Sequence, residues 1–422
     1  MCKTTTPPRP TAQDAIRKLP PNSAAAAVIP LESYLQKYVA KYSDELVPLT
    51  PPTLPSDVDP NAYKRVAFSI LPLLDKAPSP YYAGVFDDDT DFSASLVKVA
   101  ALFAAGQLLA AAKAALPGAA SSSAFFSSFN AALKTEIDTN ADDRVKHATY
   151  PTSGIIGLYP KTSSILQATG FGTSSGPSVA FTSSFSTNLS LMIVQSDDPA
   201  SGVCIDRLGL GYISAALNEN AFFDKTLTPG PDNTGATGRG IWLTADYAGQ
   251  TIVRIACIND HPDAQLTTAR LMCSLFSQIH LKQLPTSNLG IDLDTNQLMQ
   301  NLLNEPKSGP NHTAPWLSPS RSPGVAPQFA IIQDKIGFAG LGFVQKPNVY
   351  SEGLIIKWND STQVDSFNNK IDPGNTNPSS RLSGKIAVCW QNLLGDNLTG
   401  FVDGIIDVLN DAISDFLDQK AL

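Results

Sequence analysis

The chain has 422 residues, of which 43% are hydrophobic and 16% are charged, which is enough apolar material for one or two substantial cores. Its net charge of −8 argues against nucleic acid or an anionic membrane surface as a partner, because both attract basic proteins. The first residues include no apolar segment typical of a signal peptide, and the compartment therefore stays open.

Cysteine and histidine usage predicts neither a disulfide framework nor a metal site. The odd set of five widely spaced cysteines, four of them in apolar runs, is typical of buried free thiols with at most one chance pair (Cys2, Cys204, Cys257, Cys273 and Cys389). The four histidines lack the HExxH spacing of a metal site, and no CxxC pair occurs. We expect no metal and no other cofactor.

The N-terminal part of the sequence predicts an arm, two strands and a long helix. Residues 1–60 are Pro-rich, with one helix near Leu31–Tyr42, and are expected to form an arm or cap. Strand-like segments follow near 66–74 and 81–86. From Ser95 an Ala-rich helix runs to the terminator Pro117-Gly118. Polar residues interrupt that helix, which favours a buried core helix over a membrane span.

The remaining sequence alternates helices, one polar segment and a final group of strands. Helices are expected near 122–137, 189–194, 199–208, 212–218 and 267–280, whereas the Ser/Thr/Gly-rich segment 148–187 is interpreted as a surface loop. Strands are expected at 328–337, 350–358 and 385–390, before a closing helix at 401–417.

This order predicts an α+β fold, in which one antiparallel sheet is built from both chain ends and is flanked by helices. The sheet domain would comprise residues 61–94 and 325–422. Residues 95–324 would form a mostly helical domain with loop insertions. A functional site is expected in the cleft between the two.

Ser95 and Lys98 form the first candidate for chemistry. They are three residues apart at the start of a helix, so their side chains share a face, and the helix N-terminus offers free N–H groups beside the serine. A desolvated lysine can take the proton of such a nucleophile. The structural alternative is a capping serine with a lysine that extends to solvent.

Two further segments carry candidate residues. Gln195-Ser196-Asp197-Asp198-Pro199 places Ser196 among acidic neighbours, although Asp before Pro is also a common helix start. Lys335-Ile336-Gly337 lies on a predicted strand, where a lysine is commonly a solvated residue and a glycine often marks a close backbone approach.

Together, and in this order, the three segments resemble the serine β-lactamase and penicillin-binding-protein superfamily, in context most closely the class A β-lactamases. That family carries S-x-x-K, then S-x-N, then K-[TS]-G. The counterparts here are Ser95-Leu96-Val97-Lys98, Ser196-Asp197-Asp198 and Lys335-Ile336-Gly337, and the resemblance covers roughly residues 65–417.

The resemblance implies a serine acyl hydrolase or acyl-transferase that forms an acyl-enzyme on Ser95. Lys98 would be the base, Ser196 a proton shuttle, and Lys335 the group that holds Ser196 and attracts a carboxylate on the substrate. The backbone N–H groups of Ser95 and Phe338 would form the oxyanion hole. Asp198, Ile336 and Gly337 would contact the substrate, a small molecule or peptide with an amide or ester acyl group, β-lactams included. Its identity and the oligomeric state stay open.

Three departures from the family pattern limit this expectation. Asp198 replaces an asparagine and can pair with Lys98, which weakens that lysine as a base. Ile336 replaces a hydroxyl residue that would hydrogen-bond a substrate carboxylate. The segment 226–249 lacks the glutamate that activates the deacylating water in class A relatives, and Asp246 is its nearest acidic candidate. A catalytically silent binding or structural protein is therefore the alternative.

Overall fold

A computed structural model describes most of the chain in sixteen stretches. These are residues 31–46, 66–74, 82–150, 156–220, 222–223, 240–245, 247, 252–253, 257, 265–281, 293–305, 315–317, 327–339, 349–358, 382–394 and 398–418. Residues 1–30 and 47–60 of the expected arm, together with Cys2 and Asp246, lie outside them.

Ten strands and eleven helices are found in the described stretches. The strands are β1 Ala67–Leu74, β2 Ala83–Val85, β3 Asp91–Phe92, β4 Leu166–Thr169, β5 Ser178–Phe181, β6 Trp242–Leu243, β7 Gln265–Thr267, β8 Phe329–Ala339, β9 Val349–Trp358 and β10 Leu382–Leu394. The α-helices are α1 Leu31–Lys41, α2 Lys98–Ala115, α3 Ser122–Asn140, α4 Asp143–Lys146, α5 Thr162–Ile165, α6 Ser183–Ser190, α7 Asp198–Leu208, α8 Leu210–Glu219, α9 Ala269–Leu281, α10 Leu293–Asn304 and α11 Leu398–Asp418. A 3₁₀ turn, Ala94–Val97, precedes α2, and a π-helical turn, Leu191–Gln195, precedes α7.

The main sheet confirms the predicted fold class. Its five strands run in the order β2-β1-β10-β9-β8, and every neighbouring pair is antiparallel. The early strand β1 is paired with the late strand β10, with Ala67 opposite Gln391. The sheet is therefore built from both chain ends, and β8 forms one of its edges.

Side chains alternate between the two faces of this sheet, and each face is buried in its own apolar cluster. One cluster includes α1 and α11 residues and the strand residues Phe68, Ile70, Ile336, Leu354, Ile356, Val388 and Trp390. The other includes α2 and α9 residues and the strand residues Ala67, Ile355, Ala387 and Cys389. Close packing of α9 on the sheet uses the missing side chain of Gly353, where a Cβ would lie 2.3 Å from the Phe276 ring.

Helix α2 is the centre of the helical region. The helical segment 94–115 is long and apolar enough to cross a membrane, but its 18-residue apolar window is wholly buried inside the described protein, as expected for a core helix. The apolar residues of α3, α7, α8 and α9 belong to the same cluster as those of α2.

Two expectations about the middle of the chain need correction. The segment interpreted as a loop over 148–187 includes helix α5 and the β4–β5 hairpin, in which Leu166 pairs with Phe181. The buried side chains Ile165, Leu166 and Val179 hold this hairpin against the core. Helix α10 was not expected at all. Cys204, Cys273 and Cys389 are buried free thiols, as predicted, whereas Cys257 is partly exposed.

Candidate active site

Ser95 lies in a tight turn between a short strand and the central helix. The turn is fixed by β3, whose Phe92 pairs with Leu266, and by Ser93, whose N–H donates to Gln265 O at 3.0 Å. Ala94 then adopts a left-handed φ of 49°, an uncommon conformation for a residue with a side chain. The first hydrogen bond of the turn runs from Leu96 N to Ser93 O, so the Ser95 N–H lies in the unsatisfied first turn of the helix.

Lys98 is the first residue of α2, and its side chain is completely buried. Its ammonium Nζ donates to Ser196 O at 2.7 Å, to Asp198 Oδ1 at 2.6 Å and, more weakly, to Ser196 Oγ at 3.3 Å. Three acceptors match the three N–H groups of an ammonium. Among the described residues, Lys98 Nζ therefore bonds to Ser196 and Asp198 and not to Ser95 Oγ.

The position of Ser196 depends on an unusual backbone. The π-helical turn ends at Ser196, which is left-handed with φ 55° and ψ 31°. This conformation directs both the carbonyl and the hydroxyl oxygen of Ser196 at Lys98. Asp197 then caps α7 by accepting the Ala200 N–H at 2.6 Å. Two of the four non-glycine residues with positive φ in the described stretches, Ala94 and Ser196, thus belong to this site.

Lys335 reaches the same hydroxyl from the edge strand β8. Its Nζ donates to Ser196 Oγ at 2.7 Å and to Ile336 O at 3.1 Å. The Ser196 hydroxyl therefore bridges two buried lysines, one from the helical region and one from the sheet.

Gly337 allows β8 to approach the Ser95 turn. A Cβ on Gly337 would lie 2.1 Å from Ser93 O and 2.3 Å from Ser351 Oγ, closer than any side chain permits. Ser351 Oγ also donates to Ser93 O at 2.7 Å, which ties β9 to the same turn. The absence of a side chain at Gly337 thus sets the separation between the turn and the sheet.

The side chains of Ile336, an expected substrate contact, and Phe338, expected to supply a backbone N–H to the oxyanion hole, are on the other face of β8. Ile336 is buried in the apolar cluster that includes α11, and its side chain is not among those that gather around Ser196. Phe338 is partly exposed on the same face as Ile336, with its ring 5.2 Å from that of Tyr350. Only the backbone of Phe338 is thus placed to serve the site.

The electrostatics of Lys98 combine two opposed effects. Burial lowers the pKa of the Lys98 ammonium, and the Asp198 carboxylate offsets part of that decrease. The pair is asymmetric, because the Lys98 side chain is 0% exposed and the Asp198 side chain is 52% exposed. Lys98 is thus a buried amine whose charge is balanced by a carboxylate that faces solvent.

Tyr247 was not predicted as a site residue. Its ring lies over Lys98, with Nζ 4.4 Å from the ring centroid, a distance at which the π face favours the charged form of the lysine. Tyr247 follows Asp246, the acidic candidate for activating water in the segment 226–249, but no sequence motif marks the tyrosine.

The arrangement supports proton transfer through Ser196. If Lys98 is neutral, its two N–H groups can donate to Ser196 O and Asp198 Oδ1, while its lone pair accepts the Ser196 hydroxyl proton. Lys335 meanwhile donates to the same Ser196 oxygen. A proton can therefore pass between Lys98 and Ser196 without a change of side-chain positions.

No known protein family model and no curated protein matches the chain. Among solved structures, it resembles PBP-A at 13% identity and a TM-score of 0.43, over 94% of this chain and 99% of that one. A halotolerant bacterial β-lactamase is 11% identical with a TM-score of 0.40, over 89% and 96% of the two chains. A β-lactamase from Desulfarculus baarsii is 11% identical with a TM-score of 0.42, over 90% and 98%. Because such distant likeness says nothing about activity, the chemistry has to follow from the side chains of the site.

Proposed function

We propose that this protein is a serine acyl hydrolase or acyl-transferase that forms an acyl-enzyme on Ser95. The observation that carries the proposal is the Ser196 hydroxyl, which bridges Lys98 and Lys335 beside the turn that holds Ser95. Three separate parts of the chain supply these residues. A purely structural role would not need two buried lysines on one hydroxyl, because burying charged groups is unfavourable.

In the first step, Ser95 Oγ forms a bond to the carbonyl carbon of an amide or ester, and its proton passes to the neutral amine of Lys98. The backbone N–H groups of Ser95 and Phe338 stabilise the oxyanion. The bond to the leaving nitrogen or oxygen then breaks. Ser196 gives its proton to the leaving atom and regains one from Lys98.

In the second step, water or another acceptor takes the acyl group from Ser95. The carboxylate described next to Lys98 is that of Asp198, which is already paired with the lysine, and Asp246, the candidate for activating water, lies outside the described stretches. We therefore expect deacylation to be slow. A small-molecule or peptide acyl substrate fits this site.

The test is intact-mass measurement after incubation with a fluorescent penicillin and, separately, with an alkyl fluorophosphonate. We expect an adduct on Ser95 that the Ser95→Ala variant does not form. No adduct with either probe would overturn the proposal. Slow deacylation is tested with nitrocefin, where turnover above about 1 per second, an ordinary enzymatic rate, would contradict it.

A catalytically silent binding protein is the second candidate. The contact that favours it is the 2.6 Å pair of Lys98 with Asp198, which opposes the neutral form that a base requires. In that case the cleft would still bind acyl compounds, but the Ser95 adduct would never form.

A further inference from the structure

The Asp198 carboxylate is the exposed edge of the polar cluster around Ser196. Its Oδ1 binds Lys98 at 2.6 Å, and yet 52% of the side chain is exposed. The four other polar side chains of the site, those of Ser95, Lys98, Ser196 and Lys335, are all more than nine-tenths buried. Among these five side chains, Asp198 is therefore the one that is accessible to a ligand from solvent.

The chemistry of Asp198 restricts what can bind beside it. A carboxylate has only acceptor atoms, so it attracts N–H donors and repels carbonyl oxygens. The amide of an asparagine at the same position could bond either to an N–H donor or to a carbonyl oxygen, because it has both an acceptor oxygen and an NH₂ group. The difference between the two groups therefore affects selectivity.

The local charges favour a cationic partner over a neutral one. The charge of Asp198 is balanced by Lys98, while Asp197, the neighbouring cap of α7, adds a second negative charge. Lys335 is held by Ser196 Oγ and Ile336 O, behind the surface. Because both lysines are buried while Asp198 is exposed and Asp197 partly exposed, the solvent-facing side of the site is more negative than its buried side.

We propose that Asp198 selects acyl donors that carry an ammonium group close to the acyl carbon. This assignment rests on the proposed function, because it concerns the substrate of Ser95. The ammonium donates to the exposed part of the Asp198 carboxylate while the acyl carbon lies at Ser95 Oγ. Acyl donors that present a carboxylate or a carbonyl oxygen at that position are disfavoured.

The test compares three short alkyl fluorophosphonates that differ only in their end group, which is an ammonium, a methyl or a carboxylate. Ser95 Oγ displaces fluoride from each, and intact mass gives the rate of adduct formation. We expect the ammonium probe to react about tenfold faster than the methyl probe, the effect of one hydrogen bond to a charged group, and the carboxylate probe to react slowest.

The Asp198→Asn variant should remove this order, since its end-group preference depends on the carboxylate. The matched control is Asp206→Asn, which removes one negative charge from the far end of the same helix, where Asp206 pairs with Lys161. The control should keep the order. Equal rates for the three probes in the parent protein, or an order unchanged in Asp198→Asn, overturn the assignment alone. No Ser95 adduct with any probe overturns the proposed function as well.

Discussion

Lys98 Nζ lies 2.6 Å from Asp198 Oδ1, and this pair joins the start of α2 to the start of α7. The lysine end is completely buried and the carboxylate end is open to solvent. The protonation of a residue inside the protein thus depends on a carboxylate that mutation can change without disturbing a buried core.

We predict that Asp198→Asn shifts the pH profile of Ser95 acylation downward. Acylation requires neutral Lys98, so its rate rises with pH through the pKa of Lys98. Asp198 raises that pKa, and its removal should move the midpoint to lower pH. The measurement is the rate of adduct formation with the methyl-ended fluorophosphonate across pH. An unchanged midpoint would show that Lys98 does not act as the base.

The Tyr247 ring should favour the charged form of Lys98, as Asp198 does, with a smaller effect. Its π face stabilises the Lys98 ammonium, so Tyr247→Leu should lower the midpoint of the same profile, by less than Asp198→Asn does. Tyr247→Phe keeps the ring and serves as the matched variant, with a midpoint closer to that of the parent. If both variants shift the profile equally, the ring is not the cause.

Ser196→Ala should impair both acylation and stability. The variant removes the hydroxyl that accepts from Lys98 and Lys335, so the proton route to the leaving group is lost and acylation should fall about 10²–10⁴-fold. Leaving two buried donors with one acceptor fewer should cost about 1–3 kcal/mol in the free energy of unfolding. Mass spectrometry and urea unfolding measure the two effects. A fully active Ser196→Ala protein would exclude the shuttle role.

Gly337→Ala and Gly202→Ala should have opposite effects on the stability of the protein. A Cβ at Gly337 would meet Ser93 O at 2.1 Å, so that variant should lose about 1–3 kcal/mol and acylate slowly. Gly202 lies inside α7 with nothing within 4 Å of its added Cβ, so Gly202→Ala should gain about 0.5–1 kcal/mol and keep its activity. Urea unfolding compares the pair, and equal stabilities would contradict the close approach of β8 to the Ser95 turn.

The raised pKa of Glu136 predicts that the stability of the protein depends on pH, independently of the active site. Burial and the neighbouring Glu219 raise the pKa of Glu136 from its ordinary 4.5 to about 7. The folded protein therefore binds more protons than the unfolded chain between these values. Stability should be highest below about pH 4.5 for this group and fall as the pH rises toward 7. Glu136→Gln should flatten that part of the profile, which unfolding at several pH values measures; an unchanged slope would contradict the raised pKa.

The order of the motifs predicted that Ser196 and Lys335 belong near Lys98, and the structure brings these three side chains together. The aspartate at position 198 also predicted the pairing with Lys98 that the structure shows. Sequence could not predict that the third hydrogen bond of Lys98 goes to Ser196 and not to Ser95, since both serines carry the same hydroxyl group. Tyr247 was missed since a ring over an ammonium is a long-range contact without a local pattern.

The missed elements have different causes. The β4–β5 hairpin consists of strands of only four residues each, which are too short for their alternation to stand out from the surrounding Ser/Thr/Gly-rich sequence. Helix α10 did carry a signal, since Leu298-Met299 and Leu302-Leu303 are four residues apart on one face. The neighbouring polar residues Asn296 and Gln300 are buried as well, and their polarity hid that signal.

The pairing of β1 with β10 has a consequence for biosynthesis. A ribosome completes Ala67 long before Gln391, its partner in the sheet, and β1 must wait for almost the entire chain. Until then the strand edge that pairs with β10 and the apolar side chains of β1 are exposed to other nascent chains, which makes this stage of synthesis prone to aggregation. Lys335 also emerges late, so a chain released early cannot assemble the pocket around Ser196, and any unspecific reactivity of Ser95 is delayed until the protein is complete.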